Sequence, residues 1–121
     1  MKTVLVVEDT RAQQLLIMGL LAQAGFEVAV ADTAELAWRW LETHNVPHLI
    51  LLDVIMPGQS GLDLCRMIRA SSQLNQIPIV FCTYKNQDAD RFWALRQGGN
   101  AYIAKPFAPQ QLLDAVAHYI N

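Results

Sequence analysis

The sequence predicts a doubly wound α/β fold in which five parallel strands alternate with five helices. Short, apolar, β-branched segments alternate with longer segments whose apolar residues recur at helical spacing. The segment 49–52 is apolar throughout and is followed at once by Asp53, which is typical of a strand buried on both faces of a parallel sheet. Five such units joined by right-handed crossovers favour a flavodoxin-like sheet with strand order 2-1-3-4-5.

The individual elements follow from local signals. Strands are predicted at 3–7, 26–31, 48–52, 79–82 and 101–104. Helices are predicted at 10–24, 33–43, from 59 or 60 to 70, at 85–97 and from about 109 to 120. Thr10 and Thr33 are plausible N-caps, and Pro109 suits a first helical turn. The residues expected to face the core from the first helix are Ala12, Leu15, Leu16, Gly19, Leu20 and Gln23.

Two tryptophans are assigned less directly by these patterns. Trp38 falls outside the apolar stripe expected on the second helix, which consists of Leu36, Ala37, Trp40 and Leu41. Both a partner contact and ordinary packing therefore stay open for Trp38. Trp93, on the fourth helix, is interpreted as a residue that packs the helix in preference to one that docks a partner.

Composition narrows the possible functions. A chain of 121 residues suits one domain, predicted to span 1–121, with a sizeable core. Its formal net charge of −2 offers no basic field, so direct nucleic-acid binding is not expected. The sequence has no apolar run of the roughly 18 residues that a membrane span needs, and it does not begin like a signal peptide. Two cysteines make no disulfide framework, so we expect a soluble cytoplasmic protein.

Polar residues follow four of the five predicted strands. Glu8 and Asp9 follow the first strand, Asp53 the third, Thr83 the fourth and Lys105 the fifth. The carboxyl ends of parallel strands form the edge at which open α/β sheets place their sites. With strand order 2-1-3-4-5, the first and third strands are neighbours. The three carboxylates are therefore expected to converge.

Converging carboxylates favour a divalent cation. Two carboxylates about 4 Å apart repel by on the order of 4 kcal/mol at an effective dielectric near 20. Oxygen ligands alone favour Mg²⁺ or a similar hard ion such as Mn²⁺. Glu8 and Asp9 would hold this ion, with Asp53 and the backbone carbonyl of Ile55 nearby.

The same constellation suits phosphoryl transfer onto Asp53. An ionised carboxylate is already nucleophilic, so the reaction needs no general base. Lys105 and the cation would neutralise charge on the phosphoryl oxygens, and the Thr83 hydroxyl could donate to one of them. Each of these residues alone could be an ordinary polar strand end. Their combination in this order, with Met56-Pro57-Gly58 and Lys105-Pro106-Phe107, argues for a shared site.

The chain resembles response-regulator receiver domains of two-component signalling, the CheY-like group, over essentially its whole length. The resemblance depends on Val7-Glu8-Asp9, on 52–57 with Gly61, on Thr83 and on 102–107. It implies that Asp53 is the phospho-acceptor, that Glu8 and Asp9 form the metal site and that Lys105 contacts the phosphoryl group. It also implies a switch pair, with Thr83 moving toward the phosphoryl group and the Tyr102 ring turning inward, although Tyr102 could equally pack statically on an edge strand.

The resemblance further implies a phosphorylation switch rather than an enzyme with a separate substrate. Its partners would be a sensor histidine kinase or a histidine phosphotransfer protein, and a downstream protein target whose identity stays open. The segment from Lys85 to Gly98 is similar to stand-alone regulators of type IV pilus motility and phototaxis, which carry no output domain. The face formed by the fourth helix, the fifth strand and the last helix is the implied signalling surface.

Two residues beside the predicted acceptor depart from common choices in this family. Tyr84 follows Thr83, where a small residue is frequent, and Ile55 is apolar where water-positioning polar residues often occur. Both predict slow spontaneous loss of the phosphoryl group.

Two alternative functions are considered for the same residues. A phosphatase of the haloacid-dehalogenase type is disfavoured because it needs a second acid at the position of Ile55 and a cap insertion. An interaction module that works without phosphorylation is disfavoured because the acidic set, Thr83 and Lys105 are all present.

Overall fold

A computed structural model describes residues 1–120, so Asn121, the last residue of the predicted domain, lies outside the described residues. Strands and helices alternate strictly along the chain, as the sequence predicts. The strands are β1 (Thr3–Val7), β2 (Glu27–Ala31), β3 (Leu49–Leu52), β4 (Ile79–Thr83) and β5 (Ala101–Ala104). The helices are α1 (Arg11–Gln23), α2 (Ala34–Thr43), α3 (Gly61–Ala70), α4 (Asp88–Arg96) and α5 (Pro109–Tyr119).

The five strands form one parallel sheet in the order β2-β1-β3-β4-β5. This confirms the flavodoxin-like prediction. In register, Val7 lies opposite Leu52, and Thr83 lies opposite Ala104. The carboxyl ends of β1 and β3 are therefore side by side, and the ends of β4 and β5 lie next to them.

A hydrophobic layer covers each face of the sheet. One layer joins α2 and α3 to the sheet through residues such as Leu41, Leu64 and Phe81. The other joins α1 and α5 to it through Ile17 and Leu112. β3 and β4 are buried along their whole length, because helices cover both of their faces.

The face that α1 turns to the core differs from the prediction. Its buried residues are Gln14, Ile17 and Leu21, whereas Leu15 and Leu16 are 53% and 46% exposed. Nearly every position of this helix between 15 and 21 is apolar, so two competing stripes satisfy the helical spacing. Of the predicted stripe, Leu20 packs against the core, whereas its other members are exposed.

The tryptophan assignments are partly corrected. Trp38 is half-buried and packs against the core, which favours ordinary packing over an exposed partner contact. Trp93 is 56% exposed and meets Phe92 edge to face, with ring centroids 5.6 Å apart. The interpretation of Trp93 as a packing residue is therefore wrong, because the small residue Ala94 takes the buried position on α4.

Side-chain caps mark the starts of α2 and α3. The Thr33 hydroxyl accepts a hydrogen bond from the Leu36 N–H at 3.1 Å, and the Ser60 hydroxyl accepts one from the Asp63 N–H at 3.2 Å.

Within residues 1–120, α1 with 13 residues is the longest helix, and no helix has the length and apolarity to cross a bilayer.

Candidate functional site

The three carboxylates predicted to converge do meet at the carboxyl edge of the sheet. One oxygen atom from each of Glu8, Asp9 and Asp53 lies within 4.8 Å of the others. Glu8 and Asp53 are buried, whereas Asp9 is exposed at the rim. The adjacent ends of β1 and β3 produce this cluster, since Glu8 and Asp9 are the first two residues after β1 and Asp53 is the first after β3.

Lys105 reaches the cluster from the end of β5. Its Nζ lies 3.0 Å from Oδ2 of Asp53 and also donates a hydrogen bond to Oε1 of Glu8. Burial by itself would lower the pKa of Lys105, but its hydrogen bonds and attraction to Glu8 and Asp53 outweigh burial and raise that pKa. Lys105 therefore stays charged and offsets part of the carboxylate repulsion.

Backbone N–H groups also donate hydrogen bonds to the two buried carboxylates. The Ile55 N–H donates to Oδ1 of Asp53 at 3.0 Å, and the Thr10 N–H donates to Oε2 of Glu8 at 2.9 Å. Thr10 occupies the N-cap position of α1, yet its side chain makes no capping bond. Ile55 thus contacts Asp53 through its N–H, while a role for its carbonyl stays a prediction.

Thr83 and Tyr102 are linked through the backbone of one residue. The Thr83 hydroxyl oxygen accepts a hydrogen bond from the Lys85 N–H at 3.4 Å, and the Tyr102 hydroxyl donates to the Lys85 carbonyl. The Tyr102 ring is already buried in this structure. Burial, followed by the nearby negative charge of Asp90, raises the pKa of Tyr102 to about 12, so its phenol remains a donor.

Two exposed side chains border the cluster. The Tyr84 ring is 55% exposed, and its centroid lies 5.2 Å from Nζ of Lys105, within the range of a cation–π contact. Ile55 is 51% exposed. An aromatic ring and an aliphatic side chain therefore stand at the mouth of the site.

Sequence reasoning missed one residue that supports the site, Gln14, and named another, Gly61, without its packing role. Gln14 is a buried polar residue on α1 whose amide reaches the carbonyl of Glu8. Gly61 begins α3 against the backbone of Asp53, where a Cβ atom would lie only 2.0 Å from the Asp53 carbonyl oxygen. Gln14 shares helical spacing with Ile17 and Leu21, but the competing apolar stripe of Leu15 and Leu16 concealed this signal in the sequence.

The donor set fits a hard divalent cation. The cluster offers only carboxylate oxygens, which are the ligands that Mg²⁺ and Mn²⁺ accept in proteins. It is also open to solvent at Asp9, so a hydrated ion can enter. Glu8, Asp9 and Asp53 are the side chains that would hold the ion, and its charge would offset their mutual repulsion.

Comparison with known proteins identifies the class to which this fold and site belong. The family described as the response regulator receiver domain matches residues 4–117. The chain therefore belongs to the response regulator receiver domain family. Receiver domains act as phosphoryl-accepting switches rather than as classical enzymes, and they interact with histidine kinases or phosphotransfer proteins.

Individual relatives agree with this assignment. The chemotaxis protein CheY1 of Helicobacter pylori is 36% identical over 109 residues, covering 89% of this chain and 88% of CheY1. A response regulator from Chloroflexus aurantiacus is similar in structure, with a TM-score of 0.93, 30% identity, and 98% and 96% of the two chains covered.

A third relative contains a metal ion. The receiver domain of sensor histidine kinase PA1611 from Pseudomonas aeruginosa has a TM-score of 0.89 and 30% identity, with 98% of this chain and 96% of that chain covered. In that structure a magnesium ion is coordinated in the active-site cleft.

Proposed function

We propose that this protein is a phosphorylation switch in which Asp53 accepts a phosphoryl group from a histidine kinase or a histidine phosphotransfer protein. The observation that carries the proposal is the buried Asp53 carboxylate, which lies 3.0 Å from Lys105 and clusters with two other acids at the edge of the sheet. Burying a carboxylate beside two other acids costs free energy that its partners offset only in part, so its presence points to a function. Accepting a phosphoryl group, the role of receiver domains, is the function that we propose for Asp53.

The chemistry needs little beyond charge and position. An oxygen of Asp53 bonds to phosphorus while the bond between phosphorus and the donor's imidazole nitrogen breaks. Lys105 balances the charge that gathers on the phosphoryl oxygens, and the Ile55 N–H keeps the Asp53 carboxylate oriented. When bound, Mg²⁺ or Mn²⁺ supplies the remaining positive charge. In this sense the domain promotes its own phosphorylation and dephosphorylation without acting on another substrate.

The hydrogen bonds around Lys85 suggest how the signal leaves the site. A phosphoryl group adds about 1.5 to 2 negative charges and strong acceptor oxygens beside the Thr83 hydroxyl. If the hydroxyl turns to donate to that group, its bond with the Lys85 N–H changes, and the carbonyl of Lys85 is the acceptor of Tyr102. Thr83 and Tyr102 would act as a pair through this residue.

The proposed target surface is the face formed by α4, β5 and α5. On α4, Phe92 and Trp93 are 52% and 56% exposed. Arg91 lies over the Tyr102 ring at 5.2 Å, so α4 is in direct contact with the proposed switch residue. An exposed aromatic pair next to that residue is suited to bind a protein partner.

A test of the acceptor uses a small phosphodonor such as acetyl phosphate with Mg²⁺, and intact-mass spectrometry. We expect wild type to gain the mass of one phosphoryl group and Asp53→Asn to gain none. Asp63→Asn is the matched control, since Asp63 is an aspartate on α3 that pairs with Arg66 away from the cluster. Equal incorporation in wild type and Asp53→Asn would refute the role of Asp53.

We also infer that the phosphoryl group is held for longer than usual. Tyr84 and Ile55 surround the mouth of the site and restrict the approach of an attacking water. In Tyr84→Ala the phosphoryl lifetime should shorten several-fold, with Tyr119→Ala, a tyrosine on α5, as the control. An unchanged lifetime in Tyr84→Ala would contradict this part of the proposal.

The proposal extends to the cellular process that the protein regulates. We infer a regulator of motility or phototaxis in the cytoplasm. The resemblance of the segment from Lys85 to Gly98 to regulators of type IV pilus motility supports it, as does the similarity to a chemotaxis protein. Motility assays of a deletion strain, complemented with wild type or Asp53→Asn, would test it. Rescue by both forms, or by neither, would count against it.

A further inference from the structure

Gln14 is a polar residue in a position where α1 otherwise buries apolar side chains. It is 3% exposed and shares the inward stripe of the helix with Ile17 and Leu21. Burying an amide is unfavourable unless its hydrogen-bonding groups find partners. The contacts of Gln14 therefore indicate why a glutamine occupies this position.

Both amide protons of Gln14 are used. Nε2 donates to the backbone carbonyl of Glu8 at 2.5 Å and to Oδ1 of Asp32 at 2.7 Å. Both partners are acceptors, so the orientation of the amide is determined by the contacts. Asp32 directly follows β2, and the Glu8 N–H donates to the carbonyl of Ala31 at 3.1 Å. Gln14 therefore joins α1 to the loops that follow β1 and β2.

The carbonyl that Gln14 binds belongs to the peptide unit between Glu8 and Asp9. A peptide unit is planar, so a hydrogen bond to its carbonyl restrains the direction in which the next residue leaves the strand. The Glu8 carboxylate has its own restraints from Thr10 and Lys105. Among residues 1–120, no such hydrogen bond to the Asp9 carboxylate is seen, and Asp9 is exposed. Its placement in the cluster thus depends on the backbone.

We propose that Gln14 is a positioning residue for the cation site: by holding the Glu8 carbonyl, it keeps the Asp9 carboxylate directed toward Glu8 and Asp53. This inference rests on the proposed function, in which those three acids hold Mg²⁺. Residues behind the metal ligands commonly change metal affinity by 10- to 100-fold when they are removed. Gln14 acts through the backbone and does not touch the ion or the phosphoryl group.

The experiment measures Mg²⁺ binding by isothermal titration calorimetry on the whole chain. Gln14→Met keeps the length and shape of the side chain but removes both donors. We expect its Kd for Mg²⁺ to rise about tenfold or more. Gln13→Met is the matched control, since Gln13 is the neighbouring, half-buried glutamine of the same helix, and its Kd should equal that of wild type. An equal Kd in Gln14→Met and wild type overturns the inference.

A second pair of variants separates positioning from general destabilisation. Asp32→Asn keeps an acceptor oxygen for the Gln14 amide while removing the charge, whereas Asp32→Ala removes both. Weaker Mg²⁺ binding by Asp32→Ala than by Asp32→Asn supports the inference, and equal binding by the two counts against it. This pair also decides the matter if Gln14→Met fails to fold, because Asp32 is exposed.

A rescue variant adds a readout that a purely structural role would not produce. Gln14→Arg restores N–H donors toward the Glu8 carbonyl and the Asp32 carboxylate. Its Mg²⁺ affinity should exceed that of Gln14→Met, whatever the urea stabilities of the two variants without metal. If affinity follows urea stability in all variants instead, the positioning role is refuted. Failure of wild type to bind Mg²⁺ would refute the proposed function itself, which keeps the two failures distinct.

Discussion

Replacing Gly61 with alanine tests how closely α3 is packed against the proposed acceptor. Gly61 is the first residue of α3, and its N–H donates to the carbonyl of Val54 at 3.1 Å. An added Cβ would lie 2.0 Å from the Asp53 carbonyl oxygen, 2.9 Å from the Asp53 carbonyl carbon and 3.1 Å from Cα of Val54. All three contacts are with backbone, which no rotamer change can relieve.

The magnitude follows from that geometry. Ordinary contact for a Cβ begins near 3.4 Å, so either the start of α3 or the loop after β3 must shift by about 1.4 Å. Overpacking of this kind costs about 1–3 kcal/mol, and loss of the backbone hydrogen bond from the Gly61 N–H to the Val54 carbonyl adds about 1 kcal/mol. We therefore expect Gly61→Ala to lower the free energy of unfolding by about 2–4 kcal/mol. At about 4 °C for each kcal/mol, Tm should fall by about 8–16 °C.

The assay is urea and thermal unfolding followed by circular dichroism, with Gly19→Ala as the control. Gly19 lies inside α1, and a Cβ there would have no atom within 4 Å, so alanine should stabilise the protein by about 0.5–1 kcal/mol through helix propensity. The two substitutions add the same methyl group and are expected to act in opposite directions. A change of less than about 1 kcal/mol in Gly61→Ala would show that the contact is looser than described, and the reasoning would fail.

Three further predictions concern charge and titration. Without divalent cations, the free energy of unfolding of Asp53→Asn should exceed that of wild type by on the order of 1–3 kcal/mol, because the substitution removes one charge from a cluster of three acids and one lysine. Its urea midpoint should therefore be higher, and a lower midpoint would contradict the prediction. Cys65 and Cys82 should resist alkylation in the native protein and react in urea, since both are buried and burial raises the pKa of Cys82 to about 12; native labelling detected by mass spectrometry would refute it. Because the phenol of Tyr102 ionises near 12 when folded and near 10 when unfolded, its stability contribution is complete below pH 10 and is lost from there up to about 12. Tyr102→Phe should reduce that loss in urea titrations, and an unchanged loss would count against it.

The order and type of the elements could be predicted because short, largely apolar strand segments alternate with segments of helical spacing. β3, with four consecutive apolar residues before Asp53, needs burial on both faces, and only a parallel sheet between helix layers provides it. The boundaries were less exact. The prediction began the fourth helix at 85, whereas α4 begins at Asp88, where the Asp90 carboxylate accepts a hydrogen bond from the Gln87 N–H at 3.3 Å and caps the helix start.

The orientation of α1 could not be derived from hydrophobic spacing alone. Leu15 and Leu16 are as apolar as Ile17 and Leu21, so the pattern does not distinguish between the two stripes. Gln14 decides between them, because its amide finds two acceptors only when it faces inward. Such a preference depends on tertiary contacts, which a sequence pattern does not contain.

The candidate site was largely predictable because strand ends determine where its side chains start. Glu8, Asp9 and Asp53 converge once β1 and β3 are neighbours, and this follows from the fold class. The supporting contacts were not predictable. The Thr10 N–H on Glu8 and the Ile55 N–H on Asp53 are backbone interactions of irregular loops, whose geometry depends on dihedral angles rather than on residue type.

The imbalance of charge in the acidic cluster has a consequence for how this chain would change over generations. Three carboxylates and one ammonium leave the cluster with an excess of negative charge, so removing the charge of Asp53, as predicted above, would make the fold more robust. Mutation alone would therefore erode the cluster quickly in a lineage that no longer used it. If the cluster serves the proposed phosphorylation switch, selection for that function has to outweigh the gain in robustness that a neutral residue would bring.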